Sequence, residues 1–346
     1  MKHQTTRYGE IPFYKIGTFG NTADAFISKK LFLEYKTKYS FPKKGDILIS
    51  ASGTIGRAVI YDGKPAYFQD SNIVWIDNNE TLVKNNFLFY AYSNVKWNTE
   101  HTTILRLYND NFRNTLIPLP PLNEQSAIAN ILNDLDRYLC TLDALILKKE
   151  GVKKALSFEL LSQRKRLKGF NQAWQRVRLG DIANYLTSNL SAEQITQQGK
   201  IKVYDVNNFI GYTDTTFISD KPYISIVKDG SVGRVRILPP KTNILSTMGA
   251  LIANHRTTTE FLFYLLSNFD FKNFTSGSII PHIYFKDYKE KTIFLPPLNE
   301  QSAIANILSA LDNEITSLKN KKRQFENIKK ALNHDLMSAK IRVLEK

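Results

Sequence analysis

The sequence predicts an α+β protein built as two tandem α/β domains, each followed by a long helix, the two helices forming an antiparallel coiled coil with pseudo-two-fold symmetry. Three observations predict it. The segment Leu119–Leu132, LPPLNEQSAIANIL, recurs without a change as Leu295–Leu308, and a repeat of that length marks a duplicated architecture. Downstream of each copy, apolar residues return at alternating steps of four and three, the spacing of a coiled-coil seam. Upstream of each copy lie short β-rich runs separated by glycine-containing turns.

The duplication reaches well beyond the identical run. Phe87–Asn94, FLFYAYSN, answers Phe261–Asn268, FLFYLLSN, and Ser52–Arg57, SGTIGR, answers Asp229–Arg234, DGSVGR. At the upstream edge, Ala25–Ser28 matches Thr216–Ser219, after which the first half carries an extra stretch around Leu31 to Tyr39. The resulting boundaries are 1–118 for the first variable domain, 119–168 for helix 1, 169–294 for the second variable domain and 295–346 for helix 2.

In the first domain, Asp46–Ser50 and Arg57–Tyr61 read as the strands of a hairpin. Its tip carries Gly53, Gly56 and Arg57. Pro120-Pro121 then disfavours helix before it, while Asn123 suits an N-cap and Glu124 suits the positive end of a helix. Ile128, Leu132, Leu135, Leu139, Leu142 and Ile146 supply the seam of helix 1, and Cys140 is expected to be a small buried filler. In the second domain, Tyr223–Val227 and Arg234–Leu238 repeat the hairpin, with Gly230, Gly233 and Arg234 at its tip. Pro296-Pro297, Asn299 and Glu300 repeat the helix start. Ile304, Leu308, Leu311, Ile315, Leu318, Phe325, Leu332 and Leu336 line helix 2. Helix 1 leads into the second domain and helix 2 leaves it, so their seams meet within one chain only if they are antiparallel. At about 1.5 Å per residue, about 45 residues make a rod of roughly 65 to 70 Å.

Composition narrows the partner. The chain carries a formal charge of +15 and a pI of about 9.6, a balance that favours a polyanion because Lys and Arg displace counterions from phosphate. Glycine lets backbone approach a ligand, and an Arg fork fits phosphate or guanine. The candidate DNA contacts are therefore Lys43, Lys44, Gly53, Arg57, Lys64, Gln69 and Arg106 in the first domain. In the second they are Gly230, Arg234, Arg236, His255 and His282. Asp70, Ser71, Asn72, Asn254 and Arg256 are further polar residues in apolar surroundings.

Several classes are disfavoured. One cysteine and five histidines leave no disulfide framework, no Cys-rich zinc site and no HExxH, so neither a metal centre nor a catalytic residue is expected. No apolar stretch approaches the roughly 18 residues of a bilayer span, and Met1 is followed by polar residues, which points to a cytoplasmic protein without a membrane partner. All three Pro-Pro pairs follow Leu, so the Asn/Asp-Pro-Pro-aromatic signature of a methyltransferase is lacking. No Walker lysine loop appears, and Glu34-Tyr35-Lys36 is a common tripeptide without an acidic partner. The rival reading is a non-catalytic coiled-coil adaptor that binds RNA or protein.

A variable domain ending in PLPPLNEQ and followed by a long helix, all repeated once, strongly resembles the specificity subunits of Type I restriction–modification enzymes. The resemblance implies two target-recognition domains, each reading one half of a split site in double-stranded DNA, with helices that set the unread spacer. It further implies that the helices dock two modification subunits, with Asn123, Glu124, Gln125, Asn299, Glu300 and Gln301 as partner-binding candidates, and that restriction/translocase subunits join the complex. S-adenosylmethionine, ATP and Mg belong to those partners, and this chain holds no cofactor. One departure stands out: the lead-in from about Gly169 to Gln198, with Trp174 and Leu179-Gly180-Asp181-Ile182, has no counterpart before Met1. Either the chain starts upstream, or the missing strand is supplied otherwise, for instance by the C-terminal end.

Overall fold

The computed structural model describes residues 4–68, 72–97 and 106–343. The chain forms two compact units, Met1–Asp143 with Asn320–Lys346, and Ala144–Lys319.

The first unit contains β1 (Ile11–Tyr14), β2 (Ala25–Ile27), α1 (Lys29–Lys38), β3 (Ile47–Ser50), β4 (Ala58–Ile60), β5 (Tyr67–Phe68), β6 (Ile73–Ile76), α2 (Asn85–Tyr92) and α3 (Asn109–Arg113). One sheet has the order β2-β1-β5 and the other β4-β3-β6. The extra stretch of this half is α1, started by Ser28, whose hydroxyl accepts from the backbone N–H of Leu31 at 3.2 Å. The predicted hairpin is β3 and β4, paired antiparallel from Ile47↔Ile60 to Ile49↔Ala58.

The first long helix, α4 (Leu122–Leu161), leads into β7 (Gln175–Arg178), β8 (Ala183–Thr187), β9 (Ile201–Tyr204), β10 (Phe209–Thr213), β11 (Tyr223–Val227), β12 (Val235–Leu238), β13 (Thr242–Ile244) and β14 (Met248–Ala253). There follow α5 (Thr259–Ser267), β15 (Thr275–Ser276), β16 (His282–Ile283), α6 (Phe285–Tyr288), β17 (Thr292–Leu295) and the second long helix, α7 (Leu298–Met337). In the second unit β10-β9-β13 repeats the order of β2-β1-β5, and β12-β11-β14-β8 repeats β4-β3-β6 with one strand added. That strand, β8, and β7, which pairs with β17, both come from the lead-in.

The long helices are antiparallel inside each unit. In the first, Asp136 pairs with Lys329 and Asp143 with Lys322. In the second, Glu150 pairs with Lys319 and Lys153 with Asp312. As one number rises, the other falls. Exposed pairs of this kind contribute little stability, and the burial of Ile128, Leu132, Ile304 and Leu308 carries more, roughly 1.5 to 3 kcal/mol per side chain. The same face holds the sheets: Phe87 and Tyr90 of α2 pack on Ile128 and Leu132, and Phe261 and Leu262 of α5 on Ile304 and Leu308. Tyr90 donates to Asp136 at 2.8 Å and Tyr264 to Asp312 at 2.9 Å. Burial, and then the carboxylate, push both phenols well above the tyrosine range, so they remain hydrogen-bond donors.

Three expectations at the helices are corrected. Cys140 is exposed, because it lies about 100° round the helix from Leu139 on the seam. Glu124, Gln125, Glu300 and Gln301 are buried and face their own unit, not a partner. The Gln301 amide donates to the carbonyls of Arg256 and Pro296 and accepts from Thr258 N and Thr257 Oγ1, which fills all four of its hydrogen-bonding positions. Gln125 does the same work toward Leu82, Pro120 and Lys84. Glu300 takes a two-pronged contact from Arg166 and a third from Trp174 Nε1 at 2.9 Å. Glu124 takes the corresponding fork from Arg342, both bonds 2.7 Å, and this guanidinium holds its carboxyl below the usual range. Asn123 and Asn299 remain exposed. Neither is an N-cap: the helices start one residue earlier, and each Asn Oδ1 accepts from the next backbone N–H at 2.9 Å.

The C-terminal end repeats the segment that comes just before the lead-in in the second unit, and not the lead-in itself. Arg342 and Val343 occupy in the first unit the places of Arg166 and Leu167 in the second. Among the described residues, no strand of the first unit takes the places of β7 and β8.

Candidate nucleic-acid interface

Each hairpin turns through two glycines with left-handed backbone, Gly53 and Gly56 at φ +68° and +80°, and Gly230 and Gly233 at +83° and +80°. A side chain at Gly56 would run into Trp97, and one at Gly233 would meet Phe271 at 2.6 Å. The turns are therefore glycine by steric need.

In the second unit the tip gathers three segments. Gly230 N donates to Pro281 O and Ile283 N to Lys228 O, both 2.9 Å, which ties the hairpin to the loop before β16. Asp229 and His282 form a β-bridge, with His282 Nδ1 2.7 Å from Asp229 Oδ1. Arg234 donates to Asn207 Oδ1 at 2.8 Å and Arg236 to Asn207 O at 2.9 Å, so the β9–β10 turn joins the site. The Arg236 guanidinium lies 5.3 Å from the centre of the Tyr204 ring. Beside these cations stand Ile279, 92% exposed, and the exposed Ile280 and Tyr284. Cations interleaved with aromatic and aliphatic groups can meet phosphate, base edge and base face together.

In the first unit the same positions carry other side chains. Leu107 N donates to Ala51 O at 2.8 Å, and Ser52 and Arg106 form the β-bridge that corresponds to Asp229 and His282. Ser52 Oγ donates to Asn72 Oδ1 at 3.0 Å. Arg57 is held by Phe19 O at 3.0 Å, and Arg106 lies 6.0 Å from the Tyr108 ring centre.

The structure brings together Gly53, Arg57, Asn72 and Arg106 in one unit, and Gly230, Arg234, Arg236 and His282 in the other. It does not bring in the rest. Lys43, Lys44 and Lys64 cluster at the opposite end of the hairpin, where Gly45 N bonds Tyr61 O and Lys43 and Lys64 pair with Asp77 and Asp62. His255 follows β14, whose Leu251 pairs with Ile224 and Met248 with Val227, so it also lies at the end away from the tip. There Asn254 bonds Asp181 O and Arg256 bonds Gln175. Gln69, Asp70 and Ser71 fall outside the described residues. Sequence reasoning missed Asn207, Tyr204, Phe19 and the Ile279-Ile280 pair. The Asp205–Asn208 turn was the available signal for the first, since Asn and Asp between two alternating strands mark a loop.

Among the described residues no group of three His, Cys, Asp or Glu could hold a metal ion, and no helix is long and apolar enough to cross a membrane.

The family described as Type I restriction modification DNA specificity domain matches residues 1–149 and 171–327. A Haemophilus influenzae protein named for a role as a type I restriction enzyme specificity subunit is 62% identical over 137 residues, 39% of this chain and 36% of that protein. The Methanocaldococcus jannaschii type I restriction enzyme MjaVIII specificity subunit is 25% identical over 362 residues, 92% of this chain and 84% of the relative. In fold, the chain is similar to the crystal structure of the type I restriction–modification S subunit from M. genitalium, with TM-score 0.62 and 20% identity over 97% of this chain and 91% of that one. A second solved chain, from work on complex assembly and conformational transition of the type I R-M system, gives TM-score 0.53 at 16% identity, covering 85% and 82%.

Proposed function

This chain belongs to the Type I restriction modification DNA specificity family, as a specificity subunit, and we propose that each of its units reads one half of a split site in duplex DNA with the cluster at its hairpin tip. One observation carries the reading: the same three-segment tip, glycine turn plus Arg plus a bridged loop residue, is built twice with different side chains. Ser52 and Arg106 in one unit stand where Asp229 and His282 stand in the other. Two like scaffolds with unlike tips suit two different half-sites, because phosphate contacts position and base contacts specify.

In this reading the chain supplies the address and no chemistry. Two modification subunits transfer methyl groups from S-adenosylmethionine to adenine N6, and restriction/translocase subunits consume ATP with Mg, all in the cytoplasm. Exposed Asn123 and Asn299 mark the helix starts as a docking face for the modification subunits. The test is co-expression with the cognate modification subunit, followed by methylation-sensitive sequencing of the host. Methylated adenine at a split motif is expected. Methyl transfer by the purified chain alone, or an active complex that methylates without a motif, overturns the proposal.

A further inference from the structure

The loop before β16 is anchored on both sides at the second unit's tip. Ser276 pairs with His282 across β15 and β16, and Gly230 N donates to Pro281 O at 2.9 Å. Gly277 turns at φ +91°, where a side chain would run into Ile280 O. Between these anchors Ile279 and Ile280 stay 92% and 54% exposed. An anchored loop that keeps two isoleucines in water offers an apolar contact to a partner. Arg234 and Arg236, both tied to Asn207, supply beside it the positive field that draws phosphate to this surface.

His282 stands next to the isoleucines with its ring oriented. Ile283 is buried, so alternation along the strand turns the half-buried His282 outward. Its Nδ1 lies 2.7 Å from Asp229 Oδ1. A carboxylate only accepts, so the proton between them belongs to Nδ1, and the neutral ring then offers Nε2 as an acceptor. In the major groove an acceptor selects the amino group of adenine or cytosine, whereas an apolar contact selects the C5-methyl group of thymine. Guanine presents only acceptors there and would meet Nε2 with no proton between them. Among the unmodified pairs, A·T alone carries both an amino donor and a methyl group on that edge.

We infer that the second unit reads an A·T base pair, with His282 Nε2 accepting from adenine N6 and the Ile279-Ile280 pair covering the thymine methyl group. The inference rests on the reading that the tips contact bases, and it assigns a chemistry to the second of them. Asp229 fixes the tautomer that this readout needs.

The test uses the complex of this chain with its modification subunit, and duplexes that carry the methylated motif. The half read by the second unit is the half that changes when residues 169–294 are exchanged. In that half each thymine is replaced in turn by uracil, which lacks only the methyl group, and each adenine by unsubstituted purine, which lacks only the amino group. Affinity is read by fluorescence anisotropy. One uracil is expected to weaken binding about fourfold, the weight of one buried methyl group. Purine in the same base pair should weaken it about fivefold. Ile279→Ala combined with Ile280→Ala, both at exposed positions, should abolish the sensitivity to uracil. His282→Ala should abolish the sensitivity to purine and leave binding at the other half-site unchanged. Absence of an A·T pair from that half, or sensitivities that persist in the variants, overturns the inference and leaves half-site reading in place. A guanine at the position that His282→Ala relaxes overturns it as well, because the ring would then be donating. Binding indifferent to every base-pair change in both halves removes half-site reading together with the inference.

Discussion

Leu119–Leu132 and Leu295–Leu308 are identical, whereas the hairpin tips SGTIGR and DGSVGR differ at three of six positions. The identical segments bind their own chain: each glutamine is buried with its amide bonded to backbone, and each glutamate takes an arginine fork. Such contacts tolerate no substitute, because a lost partner strands a buried polar group. The tips keep only what the turn demands, two glycines at positive φ, and the arginine. Val232 also packs against the core of its unit, whereas Thr54 and Ser231 are exposed and free to differ. Within one molecule, sameness at buried residues marks self-recognition, and difference at the exposed tips marks recognition of something else.

The largest effect that can break this contrast comes from exchange. Replacing residues 169–294 with the corresponding domain of another specificity subunit should change one half of the methylated motif completely and leave the other half intact, as read by methylation-sensitive sequencing. A change in both halves would show that the tips do not read independently.

Next in size, Glu300→Ala removes the partner of Arg166 and Trp174 and should destabilise the second unit by about 3 kcal/mol, the low end for a broken buried pair because Arg166 is partly exposed. Glu124→Ala should cost less, since Arg342 is half-exposed and no tryptophan joins it. Urea unfolding monitored separately in each unit checks the order, and equal losses would mean that the two clasps are equivalent.

Arg57→Ala and Arg234→Ala should each weaken binding at one half-site by about 1 to 3 kcal/mol if the guanidinium forks onto guanine. Lysine at either position keeps the charge but not the fork. Binding to DNA mutated in one half-site at a time tells the two arginines apart.

The smallest effect is on pH. Arg342 lowers the Glu124 pKa from 4.5, so this clasp is fully formed above that value and is lost as the pH falls through the lower folded-state value. Acid unfolding of the first unit should shift accordingly, and the shift should vanish in Glu124→Gln.

The duplication made the architecture legible: the two helices, their antiparallel sense and both hairpins follow from repeated motifs and periodicity. The tips were legible as turns, because φ-positive glycine is a local demand. Which cations share a tip was not. Lys43, Lys44 and Lys64 are close in sequence to Arg57, yet strand direction puts them at the other end of the hairpin, and His255 is separated from Arg234 for the same reason. The glutamines of PLNEQ looked like surface residues by type. Their burial depends in part on the carbonyls of Leu82 and Arg256, more than forty residues away, which no local pattern reports.

The first unit is assembled from both ends of the chain, Met1–Asp143 and Asn320–Lys346, whereas the second is one unbroken stretch. On the ribosome this reverses the customary order, in which N-terminal domains finish first. Residues of the first unit emerge early but lack the second half of their helical face, with Leu336 and Met337 still to come. The second unit can close as soon as Lys319 has left the exit tunnel. The unit that starts earlier is therefore completed later, and loss of residues 320–346 would injure the half that contains residues 1–143.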